Sequence, residues 1–89
     1  MENRKFQEAL GDRIKRIRLD KNMSQTLLAN QCGIEKANLS RIESGQANPT
    51  VLTLLKISDA LQVPVVEFFK YEIHDSNVQV PQKNGNVAL

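Results

Sequence analysis

Residues 25–44 read QTLLANQCGIEKANLSRIES and have the spacing of two short helices joined by a tight turn. Ala29 is small where two helices must approach closely, and Gly33 can adopt the left-handed conformation that ends a helix at little cost. The apolar positions expected to face inward are Leu28, Cys32, Ile34, Leu39 and Ile42. A turn that holds two helices at roughly 90–120° has these requirements, so the stretch predicts a helix-turn-helix.

Helical periodicity extends upstream of this unit. Apolar residues recur in steps of four, four and three from Phe6 to Ile17, which predicts a first helix over about 6–20. Ser24 suits the N-cap of the second helix, because its hydroxyl can accept a hydrogen bond from an otherwise unpaired backbone N–H. A third helix follows the turn over about 35–43.

Two further helical segments follow downstream. Asn48-Pro49-Thr50 interrupts the chain, and either the asparagine or the threonine can cap a fourth helix, VLTLLKISDALQV, which we expect to be the most buried element. Pro64 opens a short fifth segment, VVEFFKYE. No strand-type alternation of useful length precedes residue 73. The expected fold is therefore all-α, a compact five-helix bundle in one domain over residues 1–72.

The sequence changes character after this domain. Residues 73–89 are mainly polar and contain Pro81, Gly85 and isolated valines. Such a composition predicts a flexible tail. The alternative is a strand at about 77–80 that pairs with a partner chain, which would make the tail part of a dimer.

Bulk composition fits a small globular protein. The 89 residues are 40% hydrophobic and 25% charged, and the net charge is +2. No apolar run approaches the ~20 residues that span a bilayer, and the N-terminus is too charged for a signal peptide. We therefore expect a cytoplasmic protein with no membrane contact. Its basic residues are concentrated near the N-terminus, where residues 1–21 hold seven Lys or Arg against four Asp or Glu.

Catalytic and metal-binding residue patterns are missing from the sequence. The chain has one histidine, His74, and one cysteine, Cys32, which are too few for a protein zinc site. Asp75 adjoins His74, but adjacent residues make no catalytic relay without a positioned nucleophile. There is no phosphate-binding glycine loop of the Walker or dinucleotide type. We expect no enzymatic activity, no metal and no cofactor, and no small-molecule ligand is evident.

Taken together, the motifs resemble the Cro-like and phage-repressor-like helix-turn-helix family, often called the Xre type. The resemblance covers about residues 10–70 and rests on RIKRIRLDKNMSQTLLA, GIEKANLSRIESG, NPTVLTLLKISDALQV and the short segment after them. It implies a lambda-repressor-like bundle whose third helix enters the major groove of double-stranded DNA, while the second lies across the phosphate backbone. The chain lacks the acidic residue that commonly follows the family's Gln at position 25.

Several side chains of the third helix are not needed for packing. Those that point outward, as the family's base-reading positions do, are Lys36, Ala37, Ser40 and Arg41, with Asn38 as a further candidate. Arg41 is the strongest, because a guanidinium can bond guanine O6 and N7 together. The alternative is an ordinary solvated helix face.

Phosphate contacts are expected from the elements beside that helix. Ser24 and Gln25 lie at the start of the second helix, whose N-terminus attracts anions. Gln46 and Asn48 lie in a loop that resembles the family's other backbone clamp. Arg16 is expected to add long-range attraction.

Two other charges have a different expected role. Arg18 lies one turn past Ile14 at the edge of the apolar stripe, and Glu43 directly follows Ile42. The family has an Arg–Glu pair at these positions, so the resemblance implies a structural ion pair. The alternative is that Arg18 contacts DNA directly.

The fifth segment is the candidate dimer interface. Its large apolar residues offer more surface than one short terminal helix can bury, and they are Val65, Val66, Phe68, Phe69 and Tyr71. Proteins of this kind usually bind palindromic operators as two-fold dimers. We therefore expect a homodimeric transcriptional regulator, similar to restriction–modification controller proteins and small phage repressors. The alternative is a protein-interaction module, such as an antitoxin that binds a toxin and autoregulates its operon.

Overall fold

Four α-helices and a short terminal 3-10 helix make up the described part of the chain. The structure is a computed structural model that describes residues 3–72. Its elements are α1 (Asn3–Asp20), α2 (Gln25–Cys32), α3 (Lys36–Glu43), α4 (Val51–Leu61) and the 3-10 helix (Val65–Phe69). The expectations for the tail at 73–89, including the strand at 77–80, lie outside the described residues.

Side-chain and glycine caps set the helix boundaries. Ser24 Oγ accepts a hydrogen bond from Leu27 N at 3.0 Å, and Gly33 ends α2 with φ of 73°. Both caps confirm the sequence prediction. Of the two residues that could cap α4, Thr50 does so, because its Oγ1 accepts from Thr53 N at 3.1 Å.

Two of the predicted elements differ in the structure. α1 begins at Asn3 rather than at about 6, because an exposed polar first turn leaves no apolar pattern in the sequence. The fifth segment is a five-residue 3-10 helix rather than an α-helix. Pro64 has no N–H, and Glu67 N bonds the Pro64 carbonyl in the tighter three-residue pattern at 3.0 Å.

Every element contributes to a single core. Its buried side chains are Leu10, Ile14, Ile17, Leu28, Ala29, Cys32, Leu39, Ile42, Leu54, Ile57, Leu61 and Phe68. Cys32 is a buried free thiol, and burial raises its pKa, which keeps it protonated at neutral pH. Four of the five predicted inward positions of the helix-turn-helix are buried in this core, and the fifth, Ile34, is partly buried against it.

α4 was expected to be the most buried element, but one of its sides is exposed. Leu54, Ile57 and Leu61 face the core, whereas Val51, Leu52 and Leu55 are 72%, 63% and 46% exposed. A helix buries only one side against a core, so an apolar run of this length must leave some residues outside. We call these three exposed residues the α4 patch.

α1 and α3 approach unusually closely at a glycine. A Cβ on Gly11 would collide with the Ile42 carbonyl oxygen and lie 2.8 Å from the Glu43 carbonyl oxygen. The absence of a side chain at Gly11 therefore allows the C-terminal end of α3 to rest on α1. Within residues 3–72, no helix has the length and apolarity needed to span a bilayer.

Candidate nucleic-acid interface

The outer side of α3 carries exposed polar and small side chains. Lys36, Ala37, Ser40 and Arg41 are all exposed, and we call these four the reading face. Leu39 and Ile42, on the opposite side of the same helix, are buried in the core. The fifth candidate, Asn38, is half-buried and lies at the edge of the reading face. The predicted division of α3 into a packed side and an exposed side therefore exists in the structure.

The cations of the reading face differ from most other cations in the described chain. Arginines 4, 13, 16 and 18 and Lys70 each pair with a carboxylate within 4.0 Å. Across residues 3–72, by contrast, the side chains of Lys36 and Arg41 have no ion-pair partner. Their donors are thus available to an external acceptor without the loss of an internal contact.

A buried ion pair fixes the C-terminal end of α3. Arg18 Nε donates to Glu43 Oε2 at 2.7 Å and Arg18 Nη2 donates to Oε1 at 2.9 Å, a two-point contact between planar groups. Arg18 Nη1 also donates to the Met23 carbonyl at 2.7 Å. Both charged side chains are less than a tenth exposed, so Arg18 is committed to a contact within the fold.

Gln25 is tied into this buried pair. Its Nε2 donates to Glu43 Oε1 at 2.9 Å, so one amide hydrogen is already used. The other hydrogen and the backbone N–H groups of Gln25 and Thr26 remain for a phosphate, whereas Leu27 N is used by the Ser24 cap. Ser24 Oγ is occupied as an acceptor by the cap and keeps its own hydroxyl hydrogen as a donor.

The loop between α3 and α4 is anchored at its start. Gln46 N donates to the Arg41 carbonyl at 2.8 Å, and Gln7 Nε2 donates to the Gly45 carbonyl at 3.2 Å. Gly45 has a positive φ of 82° and is buried against Glu8. Beyond this anchor, Gln46 and Asn48 are both exposed, so they are placed beside α3 with free side chains.

Arg16 lies apart from the other predicted phosphate contacts. Its Nε donates to Asp12 Oδ2 at 2.7 Å, one turn earlier on α1. It also lines a cleft formed by α1 and residues 70–72, to which neither α2 nor α3 contributes. Arg16 was predicted from its charge alone, and it lies outside the candidate interface formed by α2, α3 and the loop after α3.

Three features with a bearing on the site were not predicted. They are the close contact of α3 with α1 at Gly11, the hydrogen bond from Arg13 to the 3-10 helix, and the exposure of the α4 patch. A glycine inside a strong helical pattern was the available signal for the first, because it costs about 1 kcal/mol relative to alanine unless packing requires it. Arg13 carried no such signal, since its partner Glu67 is 54 residues away.

Comparison with known proteins assigns the helix-turn-helix to a family. The sequence model of the HTH_3 family, described as helix-turn-helix, matches residues 14–68. The chain belongs to the HTH_3 family. This confirms the Xre-type resemblance and makes the chain a member of a family of DNA-binding transcriptional regulators rather than of enzymes.

Several HTH_3 relatives have similar sequences or structures. The chain is 39% identical over 59 residues to the HTH-type transcriptional regulator SutR of Escherichia coli (strain K12), a match that covers 66% of this chain and 33% of SutR. It is 43% identical over 54 residues to the control protein C.BamHI of Bacillus amyloliquefaciens, covering 60% and 67% of the two chains. The restriction-modification controller protein C.AhdI of Aeromonas hydrophila superposes with a TM-score of 0.71 at 30% identity, covering 72% and 97%. The chain thus spans about a third of SutR and nearly all of the C.AhdI structure.

Proposed function

We propose that this HTH_3 protein regulates transcription by binding a palindromic operator as a homodimer, with α3 of each protomer in the major groove. The observation that carries the proposal is the pair of unpartnered cations, Lys36 and Arg41, on the exposed side of a helix whose other side is fixed to the core. An exposed helix fits the major groove, where each base pair presents a distinct pattern of donors and acceptors.

Each side chain of the reading face suits a different base feature. Arg41 matches the O6 and N7 acceptors of guanine, and Lys36 matches either a guanine or a phosphate. Ala37 is small and apolar, which suits contact with a thymine methyl group, and the Ser40 hydroxyl can donate or accept. Asn38, at the half-buried edge, has the least freedom to reach a base.

The proposed phosphate contacts lie on both sides of the reading face. The α2 N-terminus provides backbone N–H groups together with Ser24 and Gln25, and the loop after α3 provides Gln46 and Asn48. Such contacts position a protein on DNA without reading sequence. Since each neutralised phosphate releases condensed counterions, affinity is expected to fall as salt concentration rises.

Arg41→Ala and Gln25→Ala should affect DNA binding in different ways. Selection from a random duplex pool with the wild type gives the preferred operator, and both variants are then titrated against it and its single-base changes. Arg41→Ala should lose about 1–3 kcal/mol on the preferred site and relax preference at one position in each half-site. Gln25→Ala should weaken binding to all sequences by similar factors.

Lys15→Ala is the matched control for the charge removed at Arg41, because Lys15 is exposed on α1 and has no ion-pair partner in residues 3–72. We expect it to leave base preference unchanged. An Arg41→Ala variant that loses the same affinity on every sequence would contradict base reading by this residue.

Exposed apolar side chains support the homodimer. Val66 and Phe69 of the 3-10 helix are 55% and 47% exposed, and this element packs against α4, which carries the α4 patch. Val65 and Tyr71 are partly buried against the core, while Phe68 is wholly buried and can support the interface only from within the protomer. This corrects the expectation that Phe68 itself contacts a partner. An exposed apolar surface on two neighbouring elements is typical of an association site.

Phe69→Glu and Leu52→Glu should each shift the protein from dimer to monomer. The physical reason is that a carboxylate enclosed in an apolar interface loses hydration without gaining a partner. Sedimentation without DNA, at concentrations where the wild type is dimeric, measures the mass. Leu19→Glu is the control, since Leu19 is similarly exposed on α1, and it should leave the mass unchanged. A wild type that sediments as a monomer at tens of micromolar would count against the homodimer.

A further inference from the structure

α1 connects the two elements to which the proposed function assigns separate tasks. Through Gly11 and Arg18 it holds α3, which carries the reading face. Through Arg13, five residues before Arg18 on the same helix, it holds the 3-10 helix of the proposed dimer interface. The relative placement of the two elements therefore depends on one α-helix and on its side-chain bonds.

The bond to the 3-10 helix is made at two points by one arginine. Arg13 Nε donates to the backbone carbonyl of Glu67 at 2.8 Å, and Arg13 Nη2 donates to Glu67 Oε1 at 3.2 Å. Lys70 Nζ donates to the other carboxylate oxygen at 2.8 Å. The hydrogen bond from Lys70, with a smaller contribution from Arg13, lowers the pKa of Glu67, so the carboxylate stays ionised at neutral pH.

Beyond the bond to Arg13, the 3-10 helix is restrained mainly by apolar packing. It has five residues, and the bond that closes its C-terminal turn, from Lys70 N to the Glu67 carbonyl, is long at 3.4 Å. Such helices have poor hydrogen-bond geometry and rarely extend further. Phe68 is its one wholly buried side chain, and Val65 is partly buried against the core. The two bonds from Arg13 are directional, unlike this apolar packing, and they fix the orientation of the 3-10 helix relative to α1.

We infer that Arg13 is a positioning residue that sets the angle between the dimer-forming 3-10 helix and the reading face, and so sets the half-site spacing that the dimer prefers. The inference rests on the proposed homodimer. Half-sites one helical turn apart place each α3 about 17 Å from the two-fold axis. A rotation of about 10° at the dimer element would then move α3 by about 3 Å, close to the rise of one base pair.

The test uses Arg13→Met, which keeps an unbranched side chain and removes both donors. Duplexes carry either one half-site of the selected operator or two half-sites at the preferred spacing and at spacings one and two base pairs shorter or longer. Arg16→Met is the matched control, because Arg16 loses the same charge from the same helix but pairs only with Asp12. All three proteins are titrated against every duplex.

Arg13→Met should bind the single half-site within about twofold of the wild type, because Arg13 does not touch the reading face. On two half-sites at the preferred spacing it should bind about tenfold more weakly than the wild type. The reason is that the two protomers can no longer both bind their half-sites in the best geometry. The difference in its affinity between the preferred spacing and the neighbouring spacings should also become smaller. Arg16→Met should keep the wild-type spacing profile.

Three results would overturn the inference. The wild-type spacing profile in Arg13→Met would show that Arg13 does not set the spacing, while the proposed dimer would stand. Equal losses on single and paired half-sites would assign Arg13 a general role in folding. A wild type that shows no preference for paired half-sites would remove the proposed dimer itself and this inference with it.

Discussion

Arg18→Met should destabilise the domain by about 3–5 kcal/mol, because it leaves the Glu43 carboxylate buried without its counter-charge. The Glu43 side chain is 2% exposed and would keep only the hydrogen bond from Gln25. The Met23 carbonyl would also lose its donor. Equilibrium urea unfolding, followed by far-ultraviolet circular dichroism, measures the change in the free energy of unfolding.

The double variant Arg18→Met/Glu43→Leu is the informative control. It removes the stranded charge along with its partner, and buried ion pairs replaced by apolar side chains often cost little. We therefore expect most of the lost stability to return. If Arg18→Met lowered the free energy of unfolding by less than about 1 kcal/mol, the effect would be that of an exposed ion pair. That result would contradict the burial of the Arg18–Glu43 pair.

Gly11→Ala should be strongly destabilising although alanine is the better helix former. The substitution gains about 1 kcal/mol of helix propensity. It also places a methyl group against the backbone carbonyls of Ile42 and Glu43, which cannot move aside as a flexible side chain would. Overpacking of this kind costs about 1–3 kcal/mol and occasionally more, and a collision with backbone belongs at the upper end. A net loss of about 2 kcal/mol in urea unfolding is expected.

Gly33→Ala separates this collision from the usual cost of replacing glycine. Gly33 has a left-handed φ of 73°, yet a Cβ there would meet nothing within 4 Å. Its substitution should cost about 1–2 kcal/mol from backbone conformation alone. Gly11→Ala should in addition weaken DNA binding in the folded protein, because it displaces the C-terminal end of α3. A Gly11→Ala variant as stable as the wild type would show that α1 and α3 do not approach so closely.

The caps and the core of the helix-turn-helix could be predicted because their signals are local. Ser24 precedes its helix by one residue, Gly33 follows it by one, and the inward positions of α3 repeat with helical period. The separation of the reading face from the core then follows from geometry. The unpartnered state of Lys36 and Arg41 could not be predicted in this way, because it depends on where every carboxylate lies in the folded chain.

The features that sequence reasoning missed depend on contacts between distant segments. The bond from Arg13 to Glu67 spans 54 residues, and the sequence showed Arg13 only as one of the basic residues concentrated near the N-terminus. The exposure of Val51 and Leu55 depends on which side of α4 meets the core, which an almost continuous apolar run does not reveal. Gln25 was predicted as a phosphate contact, and the structure uses one of its amide hydrogens for Glu43.

The Glu43 carboxylate accepts hydrogen bonds from α1 and from α2 while belonging to α3. The three helices are therefore expected to meet DNA as one rigid body, with little conformational entropy left to lose on binding. Three helices held rigidly in this way cannot change their arrangement to fit an operator that departs from the preferred sequence. The duplex must bend or twist instead, so the stiffness of base-pair steps that the protein never touches should help to rank its sites.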